Sequence, residues 1–177
     1  MVTIPKTWKD AGADEEQLSW VLFDVQSSTT TANTVLNFLS RSEGAQNKRT
    51  TNMPIAGQLP STQRFLLKKI RLMTDSEFNT TTDVNDVMDG GSIEVTLNNK
   101  RMIHAPLRAA LGLYTKIGST TADADTLPQG EGIDLDPYLV IPGGSNVNVE
   151  VITGDTAPTA ANQLTVMLIG ELVRPRG

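Results

Sequence analysis

Cysteine is absent from this chain of 177 residues, which excludes disulfides and thiolate metal sites and lets it mature in a reducing compartment. Aromatic residues are scarce at 5%, so a core must rest on Val, Leu and Ile. Trp8, Trp20, Tyr114, Tyr138 and four Phe are all that a sugar-stacking cleft could draw on. There is one histidine, His104, where a metal-dependent β-barrel would need several. Positive charge is also short. A net charge of −5 and a pI near 4.8 argue against sequence-independent binding of DNA or RNA, which needs a basic surface to release phosphate counterions. Nowhere do about 18 apolar residues run together, so no membrane-spanning helix is expected. The first residues, MVTIPKTWKDAGADEEQ, lack the apolar core and cleavage site of a signal peptide, so the sequon Asn79-Thr80-Thr81 carries little weight.

What is present is period-two patterning. In GSIEVTLNNKRMIHAPL, residues 91–107, Ile93, Val95 and Leu97 occupy one face and Glu94 and Thr96 the other, as in a half-buried strand. Asn98 and Asn99 tolerate positive φ and suit a tight hairpin, with residues 100–105 as the returning strand. Pro106 then opens a short helix, PLRAALG, ending at Gly112. In YLVIPGGSNVNVEVITG a Pro-Gly-Gly turn joins two strands, with Val147, Val149 and Val151 on the inner face. QLTVMLIGELVR is apolar on both faces, Leu164, Val166 and Leu168 on one and Met167 and Ile169 on the other. Such a strand, covered on both sides, lies centrally in a sandwich or against another subunit.

The rest of the chain follows the same logic. SWVLFDVQ, residues 19–26, reads as a strand with Val21, Phe23 and Val25 on one face and Trp20 and Leu22 on the other; a helical turn capped at Asp14 competes with it. TVLNFLS suggests a second, short strand. Residues 41–60 form a long irregular segment rich in Pro and Gly, of the kind that carries function or partner contacts. RFLLKKIRLM, 64–73, is a strand with Leu66, Ile70 and Leu72 facing one way and Phe65 and Leu67 the other. TTDVNDVMDGG allows one helical turn with Thr82 as N-cap and Gly90 or Gly91 as stop. Residues 119–137 read as an acidic loop.

Together these features define an all-β protein, an antiparallel β-sandwich of jelly-roll type with one or two short helical turns. Residues 1–17 are expected as an extended N-terminal arm, 18–172 as a single sandwich domain and 173–177 as a C-terminal tail. No internal repeat and no domain linker is visible.

Catalytic chemistry is sought with little return. His104 is the obvious catalytic candidate by residue type, but no GxSxG elbow accompanies it, and by alternation it shares a face with Met102. The expectation is a structural histidine at the surface or core edge. Asp123, Asp125, Glu131, Asp134 and Asp136 crowd one stretch and could supply oxygen ligands to calcium, yet the EF-hand spacing is not met. Gly130-x-Gly132 lacks the third glycine of a dinucleotide loop. A solvated acidic loop is the plainer expectation, and a glycosidase-type carboxylate pair has no aromatic cleft to serve. LKKIR, residues 67–71, is a strand guarded by lysine rather than a nucleic-acid stripe. No catalytic, cofactor-binding or metal-binding residue and no cofactor is therefore assigned.

Three stretches carry a resemblance: TTNMPIAGQLPSTQRFLLKKIRLM, GGSIEVTLNNKRMIHAPL and LPQGEGIDLDPYLVIPGGSNVNVEV. A Gly-Gln-Leu-Pro loop before a strand, a G-x-I-x-V-x-L strand closing on Pro-Leu, and the Pro-Gly-Gly turn resemble jelly-roll structural proteins of bacterial viruses, over residues 50 to 152. The resemblance implies a protein that builds or decorates an icosahedral capsid without catalysis. Its partners would be itself, as trimers or a higher lattice, and other capsid proteins, with assembly in the host cytoplasm and residence in the virion. The arm has only Lys6 and Lys9 against the acids at 14–16, so direct nucleic-acid binding is not expected and an outer or cement role fits better. The alternative is a receptor- or carbohydrate-binding β-sandwich, such as a fibre tip.

Overall fold

A computed structural model describes residues 12, 14–44, 49–74, 81–111, 131–159, 161 and 163–176. Its centre in sequence is the Asn98–Asn99 turn, where φ is +49° and +63°. Two successive positive φ values define the primed turn whose twist matches that of the strands it joins. Strand β4 (Ser92–Leu97) thereby returns as β5 (Lys100–Pro106), with Leu97 opposite Lys100.

Around this hairpin the other strands pair in nested fashion, always antiparallel. β3 (Arg64–Thr74) pairs with β6 (Ile133–Pro142), and β2 (Val35–Phe38) with β7 (Val147–Ile152). Outermost, β1 (Glu15–Ser27) pairs with β8 (Gln163–Pro175). The result is two four-stranded sheets, β1-β8-β3-β6 and β2-β7-β4-β5, facing each other as an antiparallel β-sandwich.

The alternation seen in the sequence becomes the core. Ile93 and Val95, Val147, Val149 and Val151, and Leu164, Val166 and Leu168 are all buried between the sheets with Leu22, Phe38 and Phe65. β8 lies between β1 and β3; its inner face is buried in the core, whereas Met167 and Ile169 on the other face are half-buried. Gly170 sits at its middle for a steric reason. A Cβ there would lie 2.0 Å from the Leu66 carbonyl oxygen, so only glycine lets β3 and β8 approach.

Several details depart from the expectations. In β3 the register slips between Leu67 and Lys69, leaving Lys68 as an extra residue opposite β8. A β-bulge of this kind flips the parity of the strand. Phe65 and Leu67 therefore join Ile70 and Leu72 in one core, whereas Leu66, expected beside Ile70 and Leu72, lies outside that cluster. Strand β1 begins at Glu15, inside the stretch read as an arm, and β8 reaches Pro175, inside the expected tail. The acidic loop does not extend to Pro137, because β6 starts at Ile133. Helix α1 (Thr81–Met88) has eight residues and starts at Thr81, so Thr82 lies within it instead of capping it; the chain leaves it through Gly90, at φ +76°. Pro106 precedes a 3₁₀ turn over Leu107–Ala110, and Gly112 lies outside the described residues.

The described part of segment 41–60 is packed against the sandwich. Met53 and Leu59 are buried in the core, and Gly57 bonds to both Leu39 and Val147. Thr50 and Asn52 lie along the free edge of β1: the Val25 N–H donates to the Thr50 carbonyl, and the Asn52 amide spans Phe23 N–H and Val21 carbonyl. The length of this segment is thus explained by closure of one flank of the fold.

Candidate functional site

His104 is exposed on the outer face of edge strand β5, directly opposite Glu94. Glu94 is engaged by Arg101 at 2.6 Å. Of the acidic cluster, Asp123 and Asp125 lie outside the described residues, while Glu131, Asp134 and Asp136 are exposed and do not converge. Asp134 pairs with Lys69 at 3.0 Å. Among the described residues no group of three or more His, Asp or Glu side chains is arranged to hold a metal ion. Nor, among them, is any helix long and apolar enough to cross a membrane.

The feature that stands out is the outer face of the β1-β8-β3-β6 sheet. Cross-strand register places Val21 beside Ile169 and then Lys69, and Phe23 beside Met167 and then Arg71. Val25, Thr165 and Met73 make the next row. Val21 is 37% exposed, and Phe23, Val25, Met167, Ile169 and Met73 are half-buried. An apolar stripe thus crosses two strands and meets a cationic border on the third. A concavity of about 480 Å³ opens on this side, lined by Ser19, Val21, Lys68, Ile169 and Glu171, with Trp20 and Asn52 also contributing.

The Lys68 bulge shapes this rim. Lys68 forms an ion pair with Glu171, which also accepts from the Gln17 amide. Its ammonium stands 5.1 Å from the centre of the Tyr138 ring, within cation–π range. Tyr138 is brought there by an irregularity in β6 at the same level: Leu67 pairs with Leu139 but Lys69 with Asp134, so β6 carries three extra residues. Alternation alone could not place Lys68 and Tyr138 together, because each lies at a break in the period.

Two buried acids, Asp24 and Asp83, went unrecognised in the sequence. Asp24 follows Leu22 on the inward side of β1 and is fully buried. Its carboxylate accepts the Leu39 N–H at 2.8 Å and the Val25 N–H at 3.0 Å, with the Gln26 amide at 3.3 Å and Arg41 at 3.4 Å. These bonds fasten β1 to the turn after β2, where Leu39 adopts φ +63°. Burial pushes the Asp24 carboxyl above its ordinary value, with the Leu39 N–H and Arg41 pulling the other way. At the opposite end of β1, Glu15 takes both guanidinium nitrogens of Arg64, at 2.7 and 3.0 Å. That bond and the Gly12 N–H hold the Glu15 carboxyl below its usual range.

Asp24 therefore acts as a structural clip with a defined pH signature. A raised acid binds protons more readily when folded, so the proton-linked part of its contribution is present below the unfolded value and is lost as pH rises through the folded one, while its role as hydrogen-bond acceptor remains. Asp24→Ala should cost about 1–3 kcal/mol at neutral pH, since the Leu39 N–H loses its buried acceptor. Asp24→Asn keeps an acceptor and should cost less. On acidification from pH 7, wild type should gain stability relative to Asp24→Asn. Urea unfolding of the three proteins across pH checks both statements; a difference between wild type and Asp24→Asn that does not change with pH would refute the second.

Comparison with known proteins adds no homology argument: no family model, no curated protein and no solved structure matches the chain.

Proposed function

We propose that this chain is a jelly-roll structural protein of a bacterial virus, which self-associates to build or decorate an icosahedral capsid and performs no catalysis. The jelly-roll reading rests on the strand order. Pairing β4 with β5, β3 with β6, β2 with β7 and β1 with β8, split alternately between two sheets, is what results when one long antiparallel hairpin is rolled up. Eight-stranded double sheets of this kind serve capsids, lectins and cupins, so the site must decide among them.

The observation that carries the shell reading is the apolar stripe on the outer face of β1-β8-β3-β6, set beside blunted sheet edges. Contiguous apolar surface rimmed by polar groups marks a contact site. Strand addition at the edges is disfavoured. β1 is covered by Thr50–Asn52 over Val21–Val25, β2 has only four residues, β5 carries Lys100, Arg101 and a bulge at Met102, and β6 contains Pro137 and Pro142. These edges favour association through the apolar face over strand addition. Its partners would be further copies, as trimers or higher rings, and other shell proteins, with assembly in the host cytoplasm and residence in the virion. The acidic balance supports a place away from the genome.

The alternative, a receptor- or carbohydrate-binding module such as a fibre tip, draws on the exposed Trp20 and Tyr138, at 40% and 36%. Sedimentation velocity over a range of concentrations separates the two readings. Concentration-dependent discrete oligomers are expected; a monomer at every concentration would leave the attachment module.

A further inference from the structure

We propose that a groove on the outer face of the β2-β7-β4-β5 sheet binds a neutral, hydroxyl-rich ligand, a short stretch of saccharide. The groove encloses about 410 Å³ and is lined by Asn37, Ser40, Thr96, Asn99, Asn146 and Asn148. The remaining lining is small or aliphatic, and no charged or aromatic residue takes part.

Register brings these side chains together. Thr96 and Asn148 are cross-strand partners on β4 and β7. Asn37 is exposed on β2, and the Asn148 amide donates to its Oδ1 at 3.4 Å. Asn146 immediately precedes β7, its backbone N–H donating to Asn98 Oδ1 at 2.9 Å and its position set by a bridge to Gln58. Asn99 is held by the hairpin turn at φ +63°. The framework is therefore rigid, yet several groups have no partner among the described residues: the whole amides of Asn99 and Asn146, the Thr96 hydroxyl, the Asn37 Nδ2 and the Asn148 Oδ1.

Two of these residues work against the fold. Asparagine is depleted in strands, and outward positions of β2 and β7 would ordinarily favour Thr or Val. Local choices that conflict with the global structure point to function. The chemistry of the groove then selects the ligand. Primary amides and hydroxyls both donate and accept, as sugar hydroxyls do, so adjacent hydroxyls of one ring can be met in either sense. An absence of charge among the lining residues disfavours ions, and the small apolar share disfavours a hydrophobic ligand. A few neutral hydrogen bonds without aromatic stacking yield only about millimolar affinity per site. Copies repeated on an assembly would raise it by avidity. The site stands on its own geometry and does not depend on the shell reading.

Affinity electrophoresis tests it, because retardation in native gels detects weak binding. The probes are glycogen, galactomannan and hydroxyethyl cellulose cast into the gel, with polygalacturonate as an anionic control and a non-binding reference protein to correct for sieving. At least one neutral polysaccharide should retard the wild-type protein, and polygalacturonate should not. Asn37→Thr with Asn148→Thr should weaken that retardation at least about tenfold, roughly the loss of one or two such hydrogen bonds. The same double variant should match or exceed the wild-type melting temperature, since Thr suits a strand better. If it fails to fold, Asn99→Gly serves instead, because glycine accepts the turn's positive φ while removing one amide. No retardation by any neutral probe, or retardation equal in wild type and a folded variant, would overturn the proposal.

Discussion

Gly170→Ala should destabilise the protein by about 3 kcal/mol or more, at the upper end of what overpacking costs. The added Cβ would meet the Leu66 carbonyl oxygen at 2.0 Å and Phe65 Cζ at 3.0 Å. A backbone oxygen cannot swing aside as a side chain does, and β8 lies between β1 and β3, so neither neighbour can retreat without parting the sheet. Gly44→Ala is the matched control, since nothing lies within 4 Å of its would-be Cβ. That change should stay within about 0.5 kcal/mol, as surface substitutions do. Urea unfolding of both variants provides the comparison; equal midpoints would mean that β3 and β8 are not packed at this distance.

The second large effect concerns association. Met167→Lys with Ile169→Lys places two ammonium groups on the outer face of β8, next to Lys69 and Arg71. Both side chains are half-buried and point away from Leu164, Val166 and Leu168, so the core keeps its packing. Burying those charges against another copy would be prohibitive without partners. Self-association should weaken at least about 100-fold, within the loss expected when two interface anchors worth about 2 kcal/mol each are removed. Circular dichroism should still report the folded β protein. Unchanged oligomers in this variant would move the contact surface elsewhere.

How much of this was legible in the sequence depends on where the period holds. Ile93–Leu97, Val147–Val151 and Leu164–Leu168 could be read directly, because strict alternation assigns each residue to a face. Asn98 and Asn99 announced their turn for a backbone reason, tolerance of positive φ. The parity of β3 was not legible, since Lys68 looks like any residue in an alternating run until the partner strand shows that it has no opposite number. Asp24 was equally opaque. Its burial depends on the Leu39 N–H and Arg41, which reach it from beyond another strand. The start of β6 was a missed signal of a different kind. In Ile133-Asp134-Leu135-Asp136 the apolar residues do alternate, with Ile133 and Leu135 packed on the core and the two acids outward, but acidity alone suggested a loop. For the candidate site, the two-faced character of β8 was visible, whereas the asparagine groove was not. Its members come from three strands and a hairpin turn whose adjacency follows only from sheet order.

The central claim is that copies of this sandwich join through the β1-β8-β3-β6 face. Sedimentation velocity of wild type beside Met167→Lys with Ile169→Lys tests it most directly. Wild type should shift to larger discrete species as concentration rises, while the folded double variant stays monomeric over the same range. A wild-type monomer throughout, or identical profiles for the two proteins, would contradict the account.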